Sequence, residues 1–425
     1  MMRCVLKRLR RAWEKVQVSK AWLMVAVTFL TQFLAMGFTF YSLGIVYEPM
    51  EQEFEVNRAT LMMLPTAMSV GGMLMAPFLG KWAGKGSIRN MMCLGCLAMG
   101  VGFLLSTQVT ELWQLIAIFG TCMTFAAGTM GGVTTQALVV NWFQENRTMA
   151  LGISMMGMSL SGAVMAPVAN SIVSSDGWRE AYELFGYVTL AAIPLVWFTV
   201  VGRPSELPSS KSEQAVTNVR PAPPAALDDF SMRDGLKERN LWIIAIVCGL
   251  SFMATTALMN NIILHATGEG MDKADAAFLV SMLAIGAASG KLVFGWAAGR
   301  FGEQRSLMVA IAGQTLGISV LLIDIPYAAL LSSCLVLGVG LGGVMPLGAA
   351  LLARAFGPAK FGPMMGLMAP IMIPFQAIGP PGAAAVYDAT GSYDIAWMGL
   401  IVVTFVALGL LTLLRLPANE EPAAA

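Results

Sequence analysis

Twelve times along this chain an apolar run of roughly 20 residues recurs, near 21–47, 59–83, 91–109, 113–140, 148–172, 181–201, 241–266, 276–299, 306–324, 327–352, 363–387 and 395–416. As a helix each run crosses about 30 Å of hydrocarbon. Inside a bilayer only helices and closed barrels satisfy every backbone N–H and C=O. A barrel would show short strands of alternating polarity, whereas these runs are continuous. The expectation is an all-α membrane protein of twelve transmembrane helices. Charge content agrees, because 12% of the residues are charged, about half the share of a soluble domain.

The charges between the runs set an orientation. Seven cations (Arg3, Lys7, Arg8, Arg10, Arg11, Lys15 and Lys20) precede the first run. Taking alternate loops as one side, 22 of the 26 Lys/Arg fall with that tail, three fall opposite (Arg58, Arg179 and Lys273), and Lys291 lies within a run. The positive-inside rule then places both termini in the cytoplasm of a plasma membrane, a bacterial inner membrane being the expected one. The first run is too long for a signal-peptide core and no small-residue cleavage site follows it, so it reads as a retained helix. Cys93 and Cys96 have CxxC spacing but lie in an apolar run without a His or acid nearby. They read as buried structural thiols, and no metal or other cofactor is expected.

The chain also repeats itself. A basic tail, 1–20, leads into one half, 21–201; a Pro-, Ser- and charge-rich linker, 202–240, leads into a second half, 241–416, with a short tail, 417–425. The linker's composition cannot pack a core. Gly80, Gly84 and Lys85, with Arg89 following, close the second run, and Gly295, Gly299 and Arg300, with Arg305 following, close the eighth. Phe143, Arg147 and Pro167 are echoed by Phe356, Lys360 and Pro380. Two pseudo-symmetric six-helix halves are what an alternating-access transporter requires.

The stretches Gly80 to Arg89 and Gly295 to Gly302 resemble the loop signature of the major facilitator superfamily. Asn141 to Arg147 with Ala150-Leu-Gly152, Gly177-Trp-Arg179, and Tyr387 to Tyr393 are similar to its monocarboxylate and oxalate–formate branch. The resemblance spans nearly the whole chain and implies the twelve-helix fold of that superfamily. It departs at Gly84 and Gly299, where the signature carries an acid. In the branch, a cation four residues before the Gly295-type glycine binds the substrate carboxylate, which implies that role for Lys291. Mammalian-type carriers have an acid where Ala287 stands and a first-helix lysine where Gly44 stands. The oxalate–formate type has a second cation in the eleventh helix, which has none here, so a monoanion fits better than a dianion.

The residues themselves point the same way. Lys291 lies eight positions before Gly299, about 12 Å along a helix, among the small neighbours Ala284, Ala287, Ala288 and Gly295. A lysine at mid-membrane costs at least ~2.5–3.5 kcal/mol on insertion scales. All 25 Asp and Glu fall in loops or at the ends of runs, Glu183 at the start of the sixth among them, so a substrate carboxylate is one candidate counter-ion; a snorkelling or deprotonated structural lysine is the alternative. Asn260 and Asn261 in the seventh run, and Gln32 and Thr39 in the first, are candidates to orient a carboxylate or hydroxyl, or equally interhelical hydrogen bonds. His265, the single histidine, can carry a proton or gate the outer mouth, or hydrogen-bond Asn261 one turn back. Gln376 sits among Pro370, Pro374, Pro380 and Pro381, on a helix that reads as a gate. Arg89, Arg147, Arg300 and Arg305 either close an inner gate on helix C-termini or obey the positive-inside rule.

Gly84-Lys85 and Gly290-Lys291 lack the spacing of a phosphate loop, so neither a transport ATPase nor another enzyme is read. The expectation is a monomeric secondary transporter of a small organic anion, first among them a monocarboxylate, working in a lipid bilayer with protons as a candidate coupling ion and no nucleic-acid partner. Two other readings stay open: a proton-coupled exporter of amphipathic drugs or neutral metabolites, favoured by 32 methionines, and a membrane sensor that binds without transporting.

Overall fold

The computed structural model describes residues 2–56, 58–143, 146–204, 232–268, 270–323 and 326–416, with the backbone alone for 2–18, 44, 58, 59, 163, 166, 167, 232, 260, 263, 264, 267, 273, 274, 276 and 277. Most of the expected linker and the tail 417–425 therefore lie outside the described residues. Two compact units form, Met1–Leu227 and Asp228–Ala425.

Long helices dominate both. In the first unit they are α1 (Met2–Met36), α2 (Met63–Lys85), α3 (Ile88–Ser106), α4 (Leu112–Trp142), α5 (Arg147–Asp176) and α6 (Trp178–Thr199). In the second they are α7 (Arg239–Gly268), α8 (Lys273–Phe301), α9 (Glu303–Val320), α10 (327–356), α11 (358–390) and α12 (Asp394–Thr412). Their outer faces carry bulky apolar side chains with no soluble-protein rationale, such as Phe198 at 84% and Phe78 at 74% exposure. Hydrocarbon is the solvent that suits such faces.

Three elements differ from plain apolar helices. The chain stays helical past the first apolar run: α1 passes through a π-helical segment at Gly37–Tyr41 into a helix over Leu43–Phe54. That extension carries Glu48, Glu51 and Glu53, so it stands clear of hydrocarbon. Within α4 lie two π-helical segments, Phe119–Met123 and Ala127–Gly131, and the non-helical Gly132 (φ −121°, ψ −120°). The Thr124 hydroxyl donates to the Phe119 carbonyl at 2.9 Å, five residues back, across the wide turn. Finally, α10 and α11 are two helices divided by a kink at Gly357 (φ 77°, ψ 164°). A left-handed backbone there favours glycine, and Pro358 restarts the next helix without needing a donor.

Packing follows residue size. In the first unit Phe38 stacks on Phe185 (4.2 Å, 9°), and Phe103 meets Tyr182 edge-on at 5.1 Å, so α1, α3 and α6 share an aromatic core. In the second unit glycines bring α8 and α10 into backbone contact. A Cβ at Gly290 would collide with the Val339 carbonyl oxygen, one at Gly286 with that of Leu335, and one at Gly342 with that of Ala287. Such small-residue seams let membrane helices gain dispersion contact where no hydrophobic force drives association.

This seam is testable. Gly290→Val should destabilise the protein by about 1–3 kcal/mol, the usual cost of overpacking, read as a lower melting temperature in detergent. Gly409→Ala, where an added Cβ meets nothing within 4 Å, should leave it unchanged. Equal melting temperatures for Gly290→Val and the wild type would contradict the seam.

Candidate functional site

Lys291 sits on α8 with its side chain half-buried. Its direction follows from helical phase, at 100° per residue. The seam residues Leu283, Ala287, Gly290 and Phe294 mark the face toward α10, through Gly338, Gly342, Gly343 and Val339. The exposed Phe278 (58%), Ile285 (54%), Val293 (48%) and Trp296 (55%) mark the opposite, lipid side. Lys291 projects roughly 150° away from the mean lipid direction and about 60° off the seam. Its flank is shared by Ala284, Ala288 and Gly295, all small. Ala284 is exposed although it faces away from lipid, so open space adjoins the lysine's flank. Snorkelling from a lipid-facing position is not the geometry here.

Around α7 the second unit builds a hydrogen-bonded frame. Pro380 has no N–H, so the Gln376 carbonyl four residues back loses its helical donor. The Thr256 hydroxyl sits 3.2 Å from that carbonyl and also reaches Phe252 O at 2.9 Å. Gln376 thus meets α7 through its main chain. The Asn261 amide donates to Ala257 O at 2.8 Å and to Pro380 O at 3.4 Å, and its oxygen accepts from the Tyr393 hydroxyl at 3.3 Å. At 4% exposure, Asn261 is buried within this frame. His265 lies edge-on to Tyr393 (5.8 Å) and to Trp397 (5.6 Å), beside a ladder in which Tyr387, Tyr393 and Trp397 stack in turn. The side chain of Asn260 lies outside the described residues.

In the first unit Gln32 is fully buried. Its amide nitrogen donates to the Ser154 hydroxyl at 2.6 Å and approaches Ser154 O at 3.3 Å; Ser154 in turn donates to Thr28 at 2.8 Å. The backbone carbonyl fixes the amide's orientation, since only the NH2 end can face it. Gln32 Oε1 is left without a donor, as are Gln136 Oε1 and Thr134 Oγ1 on α4. Buried acceptors without partners are rare in folded proteins. The Thr39 hydroxyl bonds back to the Ala35 carbonyl. Ser154 and Gln136 escaped the sequence reading, as did Gln314, whose amide accepts from Ser251 and donates to Thr255 at 3.1 Å.

The loop-signature residues divide by role. Gly80 and Gly84 are buried on α2 and Gly295 is buried on α8, whereas Gly299 and Lys85 are exposed. The Gly84 carbonyl, in the last turn of α2, accepts from Arg203 at 3.0 Å. Arg147 Nε serves Phe143 O, at the end of α4, at 3.0 Å. Both contacts place a cation on a helix C-terminus, where the dipole favours it. Arg89 lies over the Trp197 ring at 4.5 Å and Arg300 over Trp296 at 5.8 Å, while Arg305 is exposed. With Gly299 uncharged, Glu303 pairs with Arg354 at 2.8 Å. At the far end of the first unit, Arg179 pairs with Glu53 at 2.6 Å and donates to Val109 O at 3.0 Å. Trp178 donates to the same Glu53 at 2.6 Å.

Residues 28–322 and 241–425 match the family model described as Major Facilitator Superfamily. The chain is 23% identical over 424 residues to monocarboxylate transporter 11 of Homo sapiens, covering 92% of this chain and 82% of that one. It is also 23% identical over 385 residues to the MFS-type transporter YcxA of Bacillus subtilis (strain 168), covering 87% and 88%. The crystal structure of the MFS transporter FucP in its outward conformation matches with a TM-score of 0.67 at 14% identity, covering 91% of this chain and 98% of that one. A bacterial homologue of the iron transporter ferroportin, in its outward-facing state, matches at 0.66 and 13% identity, covering 92% and 99%. Structural likeness at such identities establishes the fold and says nothing of cargo.

The α7–α11 frame gives a direct contrast. Thr256→Val removes the donor on the proline-freed carbonyl and should cost about 1 kcal/mol, seen as a lower melting temperature. Gln376→Ala leaves that main-chain bond intact and should melt close to wild type. If Gln376→Ala proves the more damaging, the carbonyl is not what Thr256 serves.

Proposed function

This chain belongs to the Major Facilitator Superfamily, and from that premise we propose that it is a secondary transporter of small organic anions, monocarboxylates first, with Lys291 neutralising the substrate carboxylate. The observation that carries the reading is the phase of α8. A cation in the middle of an apolar helix is turned away from lipid, onto a flank of small residues with open space beside it. An ammonium in a low-dielectric setting attracts an anion far more strongly than one in water, and small neighbours leave room for it. Relatives named monocarboxylate transporters, 11 among them, support the carboxylate class.

The other candidates take narrower roles. Gln32 offers a buried acceptor oxygen to a substrate hydroxyl or a water. Asn261, already bonded on both ends of its amide, positions α11 and the segment before α12, so we assign it a framing role. Asn260 and Thr39 complete the candidate lining. His265 is the candidate proton carrier, set against the aromatic ladder that follows α11, and Gln376 marks the proline-rich gate. The arginines that cap α2 and α4, together with the Glu303–Arg354 pair, hold the ends of their helices on the side of the loop signature. We place that side, both termini and the 202–240 linker in the cytoplasm from the distribution of Lys and Arg, with 21–201 and 241–416 as the rocking halves of a monomer.

Two experiments on reconstituted vesicles test this. Lys291→Ala should lower saturable uptake of labelled monocarboxylate at least about 30-fold, the usual scale for removing one partner of a desolvated charge pair, while insertion and melting stay near wild type. Uptake within a few-fold of wild type would remove the anchor. His265→Gln should abolish the stimulation of uptake by an inward proton gradient; an unchanged gradient response would assign protons elsewhere or nowhere.

A further inference from the structure

Arg89 opens α3 one residue after the helix begins at Ile88. Its guanidinium lies over the indole of Trp197, on α6, at 4.5 Å. The side chain is half-buried, and its Nε is both shielded from solvent and without an acceptor. Among the described residues it forms no ion pair. A guanidinium that is partly desolvated, with an unmet donor, is an incomplete arrangement, because each charged donor left unserved costs more than a neutral one. Arginine's planar fork fits an oxyanion that can accept two parallel N–H bonds, and phosphate is such an acceptor.

The surroundings say which phosphate. From the turn above Arg89 an apolar stripe runs along α3 through Leu94 (41% exposed), Leu97 (44%), Val101 (40%) and Leu105 (50%). The spacing of three or four residues keeps those side chains on one face. Trp197 is itself 45% exposed, followed by Phe198 at 84%. An amphipathic indole beside a cation, at the end of an apolar helix face, is the composition of a membrane interface. Below it, α3 and α6 are fastened together: a Cβ at Gly186 would lie 3.1 Å from Gly100 O and 2.9 Å from the Leu104 side chain. The pair of helices is therefore a rigid wall against which acyl chains can lie, with the cation at its rim.

We propose that Arg89 and Trp197 form a binding site for the phosphate headgroup of an anionic phospholipid, in the leaflet that borders the α2–α3 loop. The guanidinium donates to the phosphate oxygens, Trp197 holds the guanidinium in plane by cation–π contact, and the acyl chains follow the Leu94–Leu105 stripe. The uncompensated single negative charge of the headgroup distinguishes this ligand from a zwitterionic lipid, whose own cation offsets the same phosphate. Charge-based capture of this kind also makes the site sensitive to the anionic lipid content of the membrane.

Native mass spectrometry of the full chain in detergent tests the site, after incubation with equal amounts of phosphatidylglycerol and phosphatidylcholine. Wild-type protein should retain phosphatidylglycerol in preference, and Arg89→Gln should reduce that retention about tenfold without changing phosphatidylcholine. Trp197→Leu, at an exposed position that tolerates change, should reduce it several-fold and serves as the readout if Arg89→Gln does not fold. Millimolar inorganic phosphate should leave the bound lipid in place. Equal retention of phosphatidylglycerol by wild type and the folded variants would overturn the proposal, as would equal retention of the two lipids by wild type. Displacement of the lipid by inorganic phosphate would reassign the site to soluble anions.

Discussion

An ammonium group in the middle of an apolar helix has few places to go, and that constraint organises the second unit. Facing lipid it costs several kcal/mol or draws water and headgroups into the bilayer; facing a neighbouring helix it displaces packing. Lys291 does neither fully. The glycines before it fuse α8 to α10 on one side, and bulky apolar residues turn the opposite side to lipid. What remains is a flank of alanine and glycine, and the lysine projects from it. The seam is thus more than packing: it sets the rotation of α8 and so decides where the charge points.

The same logic governs the uncharged polar groups. Proline removes a donor from α11, and the orphaned carbonyl of Gln376 is met by Thr256 from α7. Asn261 holds the next proline's carbonyl and the Tyr393 hydroxyl, and Gln314 ties α9 to α7. In the first unit Gln32 and Ser154 tie α1 to α5. At Pro380 a helix in hydrocarbon is interrupted and a side chain from a neighbour completes it, as the absence of water demands. The unmatched oxygens of Gln32, Gln136 and Thr134 stand out against that rule.

Much of this was legible from residue order alone. Apolar runs located the long helices because the bilayer imposes one length on all of them, and Lys291 announced itself as a charge where charges are costly. The glycine signatures lie near helix ends: α2 runs to Lys85 and α8 to Phe301, two residues past Gly299 and just before Gly302 with its positive φ of 83°. What residue order could not supply was partnership. Asn261 looks like a ligand for substrate until Pro380 and Tyr393 are seen at its two ends. Ser154, Gln136 and Gln314 look like ordinary helix surface until a second helix covers them. The π-helical segments of α4 left no trace in composition; in the second of them Thr129 lies so close to α3 that a Cβ at Gly95 would strike its hydroxyl. Loss of the signature's acid at Gly299 was visible; the ion pair between Glu303 and Arg354, distant in sequence from each other, was not.

The central claim is that the Lys291 position is reached by water and occupied by a carboxylate. Cysteine accessibility measures this most directly. With the six native cysteines replaced, Lys291→Cys should react with a membrane-impermeant, charged thiol reagent, and a saturating monocarboxylate should slow that reaction markedly. Ile285→Cys, on the lipid face, should stay unreactive under the same conditions. A Lys291→Cys protein that resists the reagent, or reacts at the same rate with and without every carboxylate tried, would contradict the claim.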